Sequence, residues 1–145
     1  MFNALIARLT GAAAAEPELD AQFAVAALLV RIAKADAHYA YEEIAEIDRV
    51  LARTWGLNPV EAMKMRATAE AIEARAPDTA EFTGLVQAHT PYLQRAALFD
   101  SLWDVSLADR ELHEKERRFL DAVAVALGIE PGHAADAARR RGVSP

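Results

Sequence analysis

Residues 34–43 read KADAHYAYEE, and residues 107–116 read LADRELHEKE. Each runs Ala-Asp, then a short polar stretch with a histidine, then two glutamates. A strongly apolar segment precedes each phrase: Phe23, Val25, Leu28, Leu29, Val30 and Ile32 before the first, Phe99, Leu102, Trp103, Val105 and Leu107 before the second. A helix apolar on most sides is a central one. An amphipathic segment follows each phrase. In the first, Ile44, Ile47, Val50 and Leu51 form the buried stripe, and Glu43, Glu46 and Arg49 are expected to face out. In the second, Phe119, Leu120, Val123 and Leu127 are inward, and Glu114, Lys115, Arg117 and Arg118 outward.

Each unit then closes alike, Trp55-Gly56-Leu57-Asn58-Pro59 against Leu127-Gly128-Ile129-Glu130-Pro131. The spacing from Asp36 to Gly56 and from Asp109 to Gly128 differs by a single residue. Two matched anchors in one order imply a duplicated helix pair. In the closing phrase Gly is expected in the left-handed conformation, with Leu57 and Ile129 packing back on the last turn.

Working outward, helices are expected from the apolar segment to near Asp36, over 41–54, 59–75, a short stretch after Asp78, 91–108, 113–127 and beyond Pro131. Asn58 caps the third and Pro59 suits its first turn. Asp78-Thr79-Ala80-Glu81 has the spacing of a capping box. The result is an all-α, single-domain bundle of about seven helices with short loops. It divides into an N-terminal helix and linker (1–16), a first half (17–75) and a second half (78–140). Phe2, Leu5, Ile6 and Leu9 fall on one helical face. That face either docks on the core or meets a membrane surface or a partner.

Apolar residues make up 53% of the 145-residue chain, enough for a sizeable core. There is no cysteine, which excludes disulfides, thiolate zinc sites and a cysteine nucleophile. The net charge of -6 does not fit a generic nucleic-acid binder. The basic run Arg139-Arg140-Arg141 suits the negative end of a final helix instead. No apolar run approaches the roughly 20 residues of a spanning helix, so a cytoplasmic location is expected.

Glu42, Glu43, Glu114 and Glu116 stand at helix starts, where the helix dipole favours negative charge. Asp36 and Asp109 stand at helix ends, where it does not, unless they cap the following helix. The same placement twice points to binding. Carboxylates suit calcium, magnesium or manganese, and His38 and His113 within the phrases can add imidazole, shifting the preference toward zinc. Trp55 and Trp103 lie in apolar stripes and are expected to be core residues.

Ala35-Asp36 with Glu42-Glu43, and Ala108-Asp109 with Glu114 and Glu116, resemble the paired signatures of the tellurite-resistance TerB-like family. The resemblance covers residues 21–127. It implies an all-helical domain with pseudo-two-fold halves and an acidic surface linked to divalent metal binding and stress responses. It implies Asp36, Glu43, Asp109 and Glu116 as metal ligands, for calcium, magnesium, manganese or zinc. It brings no enzymatic activity, and a protein partner is left unidentified. The family usually has Gly after each Asp, where this chain has Ala37 and Arg110. Non-Gly residues resist positive φ, so the loop geometry becomes a specific question for the structure.

Enzyme signatures are lacking. His113-Glu114-Lys115-Glu116-Arg117 starts like the zincin motif, but Arg117 replaces the second histidine. The glycines are scattered, and no serine sits in a nucleophile elbow. Two alternatives remain open: a metal-dependent enzyme using the same carboxylates, and a purely protein-binding module whose acidic residues are helix starters.

Overall fold

The computed structural model describes residues 19–76 and 78–145. They form seven helices and no strand: α1 Ala21–Ala33, α2 Tyr41–Trp55, α3 Pro59–Arg75, α4 Thr79–His89, α5 Tyr92–Ser106, α6 Glu114–Ala126 and α7 Pro131–Arg140. The expected helix within 1–16 lies outside the described residues. No described helix is long and apolar enough to cross a membrane.

Helix α1 is the axis of the bundle and packs against α2, α3, α4, α5 and α6. Its surface is apolar almost all round, and Phe23, Ala27, Leu28, Leu29 and Ile32 are fully buried. The alanines let neighbours approach closely. Asp20 caps α1 by accepting from the Phe23 N–H at 3.0 Å. The far end is held by Arg31, which donates to Glu73 at 3.0 Å and to Thr79 at 3.1 Å. One guanidinium thus ties the α3–α4 connection to the central helix.

Helix α5 is the second central element, with Phe99, Leu102, Trp103 and Val105 inside. Leu93, at its first turn, points to solvent. Trp103 is a core residue as expected, whereas Trp55 is only half-buried. The basic cluster is neutralised: Arg139 pairs with Asp136 at 3.0 Å, Arg140 with Asp100 at 3.3 Å and Arg141 with Asp104 at 3.0 Å. The last two pairs fasten α7 to α5.

The closing phrases behave as their glycines require. Gly56 and Gly128 have φ of 65° and 69°. The Leu57 N–H reaches back to the Ala52 carbonyl and the Ile129 N–H to that of Ala124, both at 2.9 Å. This is the six-to-one bond of a Schellman ending. Leu57 and Ile129 are both buried.

Three local expectations are corrected. The Asp78–Glu81 box does not close: Asp78 Oδ1 accepts from the Ala80 N–H instead, at 3.0 Å. Helices α1 and α5 end at Ala33 and Ser106, earlier than expected. Glu43 does not face out with Glu46 and Arg49; it is fully buried, for reasons found at the candidate site.

Candidate metal centre

Two loops meet at one end of the bundle, residues 34–40 before α2 and 107–113 before α6. In both, the residue after Asp takes the left-handed conformation, Ala37 and Arg110 each at φ 68°. These are the only described non-Gly residues with positive φ. A left-handed L-residue costs about 1–2 kcal/mol. The loop geometry that glycine would supply freely is therefore kept despite the side chains.

The two loops share their hydrogen bonds. Asp36 Oδ1 accepts from the His38 N–H at 3.0 Å, and Asp109 Oδ1 from the Glu111 N–H at 3.1 Å. Each aspartate thus closes its own turn, and neither caps the following helix. The N-cap residues are Ala40 and His113. Glu43 Oε1 accepts from the Ala40 N–H and Glu116 Oε1 from the His113 N–H, both at 3.1 Å. Each glutamate folds back over its helix start, which draws it inward. Both are 0% exposed.

This folding-back leaves the second carboxylate oxygens, Glu43 Oε2 and Glu116 Oε2, buried with no hydrogen-bond partner. The two carboxyls are neighbours that act on each other's protonation. Burial pushes Glu43 up to about 8, reinforced by the neighbouring Glu116 and Asp109. Burial also pushes Glu116 up to about 7; the His113 N–H and Glu43 oppose this, and Asp36 and Asp109 add to it. Both shifts favour the protonated carboxyl, and a proton held between the two would give the orphaned oxygens a partner in the metal-free protein.

His113 brings the aspartates together. Its Nε2 lies 3.0 Å from Asp36 Oδ2 and 3.4 Å from Asp109 Oδ2, with exposed Glu111 at 3.8 Å. The Asp36 contact is an ion-pair approach without hydrogen-bond alignment, so Asp36 Oδ2 also lacks a hydrogen-bond partner. Desolvation lowers the basicity of the imidazole, but the bond to Asp109 and the charges of Asp36, Asp109 and Glu111 outweigh it and raise the pKa.

One ligand atom each from Asp36, His113 and Glu116 lies within 4.8 Å of the others. Tetrahedral ligands about 2.0–2.2 Å from zinc stand about 3.4 Å apart, so these atoms would have to draw together by up to about 1.4 Å to hold it. Of the four carboxylates expected as ligands, Asp36 and Glu116 fall in this group, while Glu43 neighbours Glu116 and Asp109 lies 3.4 Å from His113 Nε2. The residue missing from that four-carboxylate set is His113. The sequence did signal it: an imidazole occupies the N-cap position of the second phrase, where the first has Ala40. His38 lines an adjoining open cleft of about 450 Å³ but is not among these three ligands.

The first loop is pinned from behind. The Tyr39 hydroxyl donates to Glu70 at 2.7 Å, and Arg66 joins Glu70 at 3.2 Å and Asp48 at 2.6 Å. Burial, with the Glu70 carboxylate, raises the Tyr39 pKa, so the phenol stays a donor.

Comparison with known proteins identifies the family. The family profile described as Tellurite resistance protein TerB matches residues 22–139, from the first turn of α1 to the end of α7. No curated protein and no solved structure gives a significant match. With most of its length, all seven described helices and both acidic loops inside that match, the chain belongs to the TerB family.

Proposed function

We propose that the chain is a non-enzymatic binding module whose acidic centre takes a divalent cation, in a tellurite- or stress-response role in the cytoplasm. The observation that carries this reading is the pair of buried, unpartnered oxygens, Glu43 Oε2 and Glu116 Oε2, beside Asp36 and His113. Buried carboxylates normally find partners, and a cation satisfies several at once. The imidazole shifts the preference from calcium and magnesium toward zinc or manganese. Asp36, His113 and Glu116 supply ligands, with Glu43 and Asp109 close behind them.

The halves also support a structural reading of the duplication. The same left-handed residue, the same Asp turn and the same Glu fold-back occur at matched positions. We read the chain as two copies of one helix-pair unit sharing a centre between them.

Calorimetric titration with zinc, manganese, calcium and magnesium tests the metal reading. The wild type should bind one zinc or manganese ion per chain, and Asp36→Ala/Asp109→Ala should lose it. Absence of binding by the wild type removes the proposal, and binding unchanged in the double variant moves the site elsewhere.

A further inference from the structure

A groove of about 750 Å³ lies away from the acidic centre. It forms where α1 begins at Ala21 and Val25, α2 ends at Val50 and Trp55, α4 ends near Val86, and α5 passes at Leu98, and its lining also includes the polar Arg53, His89, Asp100 and Asp104. Val25 and Trp55 pack on the core yet stay partly uncovered, and so does Leu19 just before α1. The chain enters α1 through Leu19 and the capping Asp20, so residues 1–18 join the described fold at the rim of this groove.

Those residues carry the matching chemistry. Phe2, Leu5, Ile6 and Leu9 stand at i, i+3, i+4 and i+7, one apolar stripe if the segment is helical. Such a helix over 2–9 would be about 12 Å long. The nine residues that follow can span up to about 30 Å, so reach is not limiting. A short tether also holds a segment at an effective concentration in the millimolar range, which favours it over a free partner or a second copy. We propose that residues 2–9 dock their apolar stripe into this groove, as a helix-in-groove contact made within one chain.

The test uses the isotopically labelled full-length chain in solution. Nuclear Overhauser contacts are expected from Phe2 and Ile6 to Val25 and Trp55. Leu5→Glu/Ile6→Glu should abolish them, shift the Val25, Trp55 and Leu98 signals and lower Tm. Ala7→Glu, on the opposite side of the stripe, should leave all three unchanged. Absence of these contacts in the wild type overturns the proposal, as do Leu5→Glu/Ile6→Glu shifts confined to residues 1–18. Contacts that appear only on raising the protein concentration overturn it in favour of a second copy. Binding to anionic phospholipid vesicles without any change at the groove assigns the stripe to a lipid surface and overturns it as well.

Discussion

The loop before α2 and the loop before α6 have the same backbone and different chemistry. Ala37 and Arg110 share one left-handed φ, both aspartates close the same turn, and both glutamates fold back on their helix starts. At the N-cap the likeness ends. Ala40 contributes only its backbone N–H, while His113 adds a ring nitrogen that both aspartates approach. Their burial differs too: the Asp36 side chain is 6% exposed and that of Asp109 is 19% exposed. One geometry repeated twice therefore serves an asymmetric centre, and the second loop supplies the element that sets its chemistry.

The largest expected effect separates the two N-cap positions. His113→Ala should weaken zinc binding by about 100-fold or more, since even residues behind the ligands are worth about 10–100-fold. Ala40→Ser should change it little, because that position contributes only its backbone N–H. Equal losses from both variants, read by calorimetry, would mean that the imidazole is not a ligand.

The pH dependence comes next. Glu43 and Glu116 bind protons more tightly in the folded chain than unfolded, with values of about 8 and 7. The raised His113 has the same sign. The folded state therefore carries more protons, and stability falls as pH rises. The metal-free protein should be most stable near pH 5 and lose most of this contribution as the pH rises through about 7 to 8. Thermal melts across that range measure it, and a rising Tm would contradict the shared proton. Saturating zinc should flatten the profile, because the ion replaces the proton.

Glu43→Gln and Glu116→Gln ask whether the halves are equivalent. An amide donates to the remaining carboxylate without needing a shared proton. Each should raise apoprotein stability at pH 8.5 by about 1 kcal/mol and flatten the pH profile. On the proposed metal reading, Glu116→Gln should also weaken metal binding more than Glu43→Gln, because Glu116 belongs to the Asp36–His113–Glu116 group. Equal weakening by the two variants would make the centre symmetric after all.

The smallest effects test the strained residues. Ala37→Gly and Arg110→Gly should each stabilise by about 0.5–1 kcal/mol, the relief of a left-handed side chain less the greater unfolded-state freedom of glycine. That is about 2–4 °C in Tm per kcal/mol. A similar gain at both positions supports equivalent loops. A loss at Arg110 alone would mean that its side chain has a job that Ala37 does not.

The order and number of the described helices were legible in the chain itself. Apolar stripes at helical spacing, Asn58-Pro59 at a start and Gly56 and Gly128 at two ends are local signals, and their energetics act within a turn or two. Ala-Asp followed by two Glu marked the centre for the same reason, since both phrases are contiguous. The direction in which Glu43 and Glu116 point was not local. Periodicity put Glu43 on the solvent side, but each glutamate reaches back to its own N-cap and is buried there. Nor could spacing choose between His38 and His113, because the choice depends on which imidazole meets a carboxylate more than 70 residues away in the chain. Sequence alone determined the number and order of the described helices and the glycine-stopped ends at Gly56 and Gly128, because those follow from short-range propensity and capping. Only the tertiary structure decided that Asp36 of one loop meets His113 and Glu116 of the other, because that depends on how two distant loops are set against each other by the packing of the helices.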